Sequence, residues 1–128
     1  MKKVLLYLWQ LPQNLVGWLL TRWSKSNIVT VTKDGDEYTV YFYEKFFNSG
    51  ISLGDYIILA RKNRDYKTIR HEHGHQKQSR MLGPLYLIVI GLPSLLGNVY
   101  SRIFHKSAKW YYKQPWEAWA DKLGGVER

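Results

Sequence analysis

The sequence predicts an α+β fold, a short antiparallel sheet packed with two later helices behind an N-terminal apolar helix, and three observations predict it. From Asn27 to about Ala60, β-branched and aromatic residues alternate with polar ones. Helix start and stop signals bracket residues 65–82 and 115–124. An apolar run interrupted by polar residues occupies residues 4–23. The 128 residues suffice for one core but not for two, so residues 1–128 are expected to form a single domain.

The first segment starts Met1-Lys2-Lys3 and continues VLLYLWQLPQNLVGWLLTRW. Gln10, Pro12, Gln13 and Asn14 interrupt it, and no small-residue cleavage site precedes Arg22 and Lys25. Neither a cleaved signal peptide nor a spanning helix is expected. Residues 1–25 read instead as an apolar helical anchor, two short helices hinged at Pro12. They either lie in a membrane interface, with Trp9, Trp18 and Trp23 as anchors, or pack on the domain's own core.

NIVTVT and EYTVYFYEKFF then form two strands around the hairpin signal Asp34-Gly35. After Asn48-Ser49-Gly50, ISLGDYIILA is a third strand candidate with Gly54 inside it, where glycine marks a bulge or a close backbone approach. The expectation is a three-stranded antiparallel meander. Gly50–Leu53 is either plain structural strand or an edge able to pair with an extended peptide.

Asp65 or Thr68 can cap a helix that runs to about Leu82, where Gly83-Pro84 stops it. Residues 81–101 carry no charged side chain, yet Pro84, Gly91, Pro93, Gly97 and Asn98 break them into pieces, as an apolar hairpin or broken helix. A basic aromatic stretch, RIFHKSAKWYYKQ, leads to PWEAWADKLGG. There Pro115 suits a first helical turn and Gly124 the residue just past the end. Trp116, Trp119, Ala120 and Leu123 share one face, expected to be the buried one.

The chain has no cysteine, so any transition-metal site must use His, Asp or Glu. Its 19 Lys and Arg against 10 Asp and Glu give a net charge of +9, attractive to nucleic acid or to anionic lipid headgroups. The basic residues are scattered among six Trp and ten Tyr, side chains enriched at membrane interfaces. No nucleic-acid-binding motif is present, so peripheral contact with an anionic membrane is expected and nucleic acid is not.

His71-Glu72-His73-Gly74-His75 satisfies H-E-x-x-H. On a helix the four-residue step sets two imidazoles one turn apart, able to share one metal ion. Glu72 then lies beside the ion, placed to take a proton from an attacking water. A catalytic zinc needs three protein ligands and an open position, and the last helix offers Glu117 and Asp121 on one face.

H-E-x-x-H on one helix with E-x-x-x-D on a later one resembles the small gluzincins, bacterial zinc metallopeptidases. That resemblance implies a zincin-like domain, with residues 27–128 as catalytic core and Zn2+ as cofactor. His71, His75 and Glu117 would be the metal ligands, Glu72 the catalytic base, and Asp121 an acceptor that orients a ligand histidine. More narrowly, HEHGHQKQSRMLGPLYLIVIGLPSLLGN and WADKLGGV are similar to a family of uncharacterised small bacterial proteins sharing H-E-Y-G-H-x-x-Q-S, L-G-P-L-Y-L and G-L-P-S. His73 stands where that family has Tyr.

The expected function is thus a membrane-peripheral, zinc-dependent peptidase in which metal-activated water attacks a peptide bond of a peptide or protein substrate. The alternative is a non-catalytic, membrane-associated zinc-binding or interaction protein. Either would be membrane-associated or cytoplasmic. His73 and His105 are expected to face solvent, with a hydrogen bond from His73 to substrate as the other reading. Tyr111 and Tyr112 read as packing residues, or one of them as an oxyanion donor. If His71, His75 and Glu117 share an ion, residues 81–101 cannot cross a bilayer once; they are core, or dip in and return.

Overall fold

A computed structural model describes residues 2–23, 27–33, 36–43, 50–60 and 66–127. Helices α1 (Lys2–Trp9) and α2 (Leu11–Trp23) lead into strands β1 (Asn27–Lys33), β2 (Asp36–Tyr43), β3 (Gly50–Leu53) and β4 (Tyr56–Ala60). Helix α3 (Tyr66–Leu82) follows, then a 3-10 turn (Gly83–Leu85), a π-helical stretch (Leu87–Gly91), α4 (Leu92–Ile103), α5 (Ala108–Tyr112) and α6 (Pro115–Gly124). The fold is α+β. The expected turn at Asp34-Gly35 and the expected cap Asp65 lie outside the described residues.

The sheet corrects the expected meander. Among the described residues it has four strands in the order β1-β2-β4-β3, with β1/β2 and β3/β4 antiparallel but β2/β4 parallel. ISLGDYIILA is two strands rather than one, because Gly54 takes φ +64°, a left-handed conformation that turns the chain back. The chain leaves β2, skips one position to lay down β3 at the edge, and returns as β4 between them. Parallel pairing of this kind joins residues distant in sequence and leaves no local signal.

Val40, Phe42, Ile57 and Leu59 form the core on one sheet face, with Ile69 of α3 packed against it. The next residue in β4, Ile58, is also fully buried, as a strand covered on both faces requires. Toward that second face, Gly17 of α2 lies against the Tyr56 ring, and the Tyr56 hydroxyl bonds that of Tyr7 at 3.1 Å.

The N-terminal helices turn their polarity inward. Gln10, Gln13 and Asn14, the residues that interrupt the apolar run, are 0 % exposed, while Val4, Leu5, Leu8, Leu11, Leu15 and Leu19 face outward. Gln13 Nε2 donates to Ser79 Oγ and to the Gly83 carbonyl, both at 2.8 Å. Ser79 Oγ donates in turn to Gln10 Oε1 at 2.6 Å. Asn14 Oδ1 accepts from the Asp55 backbone N–H at 2.7 Å, tying α2 to the β3–β4 turn. The break falls at Gln10 rather than at Pro12, which sits in the first turn of α2 where its missing N–H costs least.

The apolar segment after α3 is likewise turned outward, with Leu85, Ile88, Leu92, Leu95, Leu96, Ile103 and Phe104 exposed. The Trp9 indole N–H donates to the Arg80 carbonyl at 3.0 Å, which sets the end of α1 beside the start of this segment. The reading in which both segments are core is therefore wrong for these side chains. Among the described residues no helix is long and apolar enough to cross a membrane.

Helix α6 begins with Pro115 in its first turn, and Gly125 at φ +73° closes it one residue later than expected. Its most buried face is also rotated from the expected one. Glu117, Ala120, Asp121 and Gly124 are buried, and Trp116, Trp119 and Leu123 flank them half-buried.

Candidate metal centre

Helices α3 and α6 approach backbone to backbone, and two glycines make this possible. A Cβ on Gly74 would lie 1.9 Å from the Ala120 carbonyl oxygen, and one on Gly124 2.0 Å from that of Arg70. No side chain fits at either point. The approach brings the buried face of α6 against the turn of α3 that carries H-E-x-x-H.

Within that contact the four-residue step places the His71 and His75 rings 4.7 Å apart, edge to face. Nε2 of His71 lies 2.9 Å and Nε2 of His75 3.0 Å from the same Glu117 oxygen, Oε2. Each ring is held from behind through Nδ1. His71 Nδ1 lies 2.7 Å from Asp121 Oδ1, and His75 Nδ1 2.7 Å from Gln78 Oε1. With Nδ1–H donated outward, each imidazole on losing its Nε2 proton would turn a lone pair on the common point.

The other Glu117 oxygen, Oε1, accepts from the Tyr111 hydroxyl at 2.8 Å and from Ser94 Oγ, and the two hydroxyl oxygens lie 2.9 Å apart, so that their two protons serve two of these three contacts at a time. The Gln78 amide is fixed in turn by donating to the Trp116 carbonyl at 2.9 Å. Tyr112 stacks edge-on against His71, with ring centres 4.9 Å apart.

The charges follow from this packing. Burial opposes a charge on His71, but its bonds to Asp121 and Glu117 override burial and raise it to about 9. His75 is raised for a similar reason, burial opposing and Glu117 prevailing. Burial would raise Glu117, yet the two histidine donors hold its carboxyl well below the usual carboxylate range. Glu72 differs: burial pushes it up, the His75 and His71 charges oppose, and Glu117 adds to the rise. Its Oε2 is buried without a hydrogen-bond partner.

His71, His75 and Glu117 each offer one ligand atom, all within 4.8 Å of one another and all buried. Two imidazole nitrogens and one carboxylate oxygen, each anchored from behind, fit a divalent transition-metal ion with a position left open. Beside them a cavity of about 380 Å³ is lined by Glu72, His75, Ser52, Ser94 and Tyr111, and by an apolar wall that includes Leu53, Leu87 and Leu95.

All five residues singled out from the sequence thus meet at one place. His73 does not face solvent as expected: it is 1 % exposed, because α3 is enclosed between α6 and β3 along this turn. His105 is exposed. The Tyr111 hydroxyl bonds Glu117, a contact the sequence reading missed, as it missed Gln78, Ser94 and Gly74. A glycine inside a helical pattern is itself a signal of close packing, and Gly74 could have been found that way.

No known protein family, curated protein or solved structure matches this chain.

Proposed function

We propose that the chain is a zinc-dependent peptidase that works at a membrane surface. The observation that carries this reading is the convergence of His71, His75 and Glu117, beside a buried Glu72 whose Oε2 has no protein partner. Zn2+ fits two imidazoles and a carboxylate in a chain without cysteine. When bound, it supplies a Lewis acid that activates water and polarises a carbonyl.

The chain's own groups do the rest. Asp121 and Gln78 fix the histidine tautomers, and Ser94 and Tyr111 fix the rotation of the Glu117 carboxylate. Glu72 takes the proton of the attacking water on its free oxygen and delivers it to the departing amine. Burial raises the affinity of this carboxyl for a proton, the direction that suits a general base. The edge strand β3 lines the same cavity and offers backbone groups to an extended peptide. The outward apolar faces of α1, α2 and residues 85–104, on a chain of net charge +9, support peripheral contact with an anionic membrane.

Glu72→Gln tests the proposal, because it removes the base and leaves every ligand in place. The zinc-loaded parent chain should hydrolyse fluorescein-labelled polypeptides, offered both as soluble unfolded casein and as an apolar peptide in anionic vesicles, and the variant should keep its zinc and lose that activity. A parent that binds zinc and cleaves nothing, or a variant as active as the parent, overturns the peptidase reading in favour of a non-catalytic zinc-binding protein.

A further inference from the structure

The cavity beside the metal centre and the outward apolar surface share a wall. Leu92, Leu95 and Val99 line the cavity, and the same residues are 50 %, 59 % and 45 % exposed. The cavity therefore borders the surface along the apolar face of α4, the face that would meet hydrocarbon, with Asn98 and Arg102 as the polar residues of α4 at that border. An aqueous peptide would have to cross this apolar mouth to reach Glu72, whereas an apolar chain already in the bilayer would meet no such barrier.

The interior suits an apolar polypeptide. Its wall is mostly apolar, but two buried polar atoms within it have no hydrogen-bond partner, Glu72 Oε2 and Ser52 Oγ. A hydrocarbon chain would leave both unpaired, while a peptide backbone brings donors and acceptors to meet them. Arg102 also lines the cavity and is itself exposed, a cation suited to the anionic headgroup level.

We infer that the cavity receives its substrate laterally from the membrane, and that the substrate is an extended apolar stretch of a membrane-embedded polypeptide. This rests on the reading of the cavity as the peptidase's substrate site. α4 and the π-helical stretch before it then stand between the bilayer and the cavity, which explains why so much apolar surface is exposed beside a buried charged centre when, among the described residues, no helix is long and apolar enough to cross a bilayer.

Photolabelling tests the inference without turnover. The zinc-loaded Glu72→Gln chain is mixed with vesicles of phosphatidylglycerol and phosphatidylcholine that carry a Leu- and Ala-rich membrane-spanning peptide bearing a diazirine leucine. Label should appear on Leu53, Leu87 or Leu95. Gly91→Phe is aimed at filling the cavity from within, since Gly91 lines it and a Cβ there would meet nothing closer than 3.5 Å. This variant should still float with the vesicles but lose the cavity label. Label confined to the outer faces, label unchanged in Gly91→Phe, or equal labelling by a soluble polar peptide overturns the inference. So does cavity labelling by a diazirine phospholipid in peptide-free vesicles, which would make the occupant an acyl chain. Cavity labelling of Glu72→Gln by the embedded peptide, together with a zinc-loaded parent chain that hydrolyses nothing, would sink the peptidase reading and leave lateral binding standing.

Discussion

Between α2 and α3 the chain buries neutral polarity, and between α3 and α6 it buries charged polarity. In the first contact Gln10, Gln13 and Ser79 donate to and accept from one another and nearby carbonyls. In the second, two imidazoles turn on one Glu117 oxygen, each held from behind by a further acceptor. Neutral amides and hydroxyls bond one another, with Gln13 Oε1 left without a hydrogen-bond partner, and serve as a seam that lets α1 and α2 keep their apolar side outward. Converging ionisable groups have no such pairwise solution without protons, and a cation at the common point would resolve them. Buried polarity in this protein thus has two uses, and the kind of group distinguishes them.

The largest break in this contrast is expected from Gly74→Ala. Helix propensity alone favours alanine over glycine by about 1 kcal/mol. The methyl group would, however, fall within bonding distance of the Ala120 carbonyl. Overpacking should win and cost about 3 kcal/mol or more in urea unfolding, with loss of the metal. A variant as stable as its parent would mean that α3 and α6 do not pack this closely.

Asp121→Asn is expected to act next most strongly, and only on the charged contact. It weakens the acceptor that fixes His71 without removing a ligand, so zinc affinity in a chelator competition should fall about 10- to 100-fold. Unchanged affinity would remove Asp121 from the metal centre. The smallest effect belongs to the neutral seam. Gln13→Leu removes two donated bonds, but the Gly83 carbonyl keeps the Tyr86 N–H and Ser79 keeps Gln10. Stability should fall by about 1 kcal/mol with zinc affinity unchanged. Loss of zinc in this variant would show that the two contacts are not separable.

The site was more legible in the sequence than the fold around it. H-E-x-x-H and Glu117-x-x-x-Asp121 are local patterns on helices, and a helix turns a spacing directly into geometry. Gln78 lies three residues from His75, one turn away, but a glutamine carries no signature that separates an anchor from a surface residue. Ser94 and Tyr111 reach Glu117 from other elements, so no spacing reports them. The split of ISLGDYIILA at Gly54 and the parallel β2/β4 pairing depend on tertiary contacts. The N-terminal segment left two readings open, its apolar side toward a membrane interface or toward the core, because a local pattern does not say which face meets the sheet; here Gln10, Gln13 and Asn14 are the inside.

Metal analysis of the chain purified without chelator tests the central claim most directly. The account predicts about one zinc per chain, bound by nitrogen and oxygen with no sulfur in X-ray absorption. It also predicts that the zinc is lost in a folded Glu117→Ala variant. A parent chain that holds no zinc and takes up none on addition, or a Glu117→Ala variant that retains it undiminished, would contradict the account.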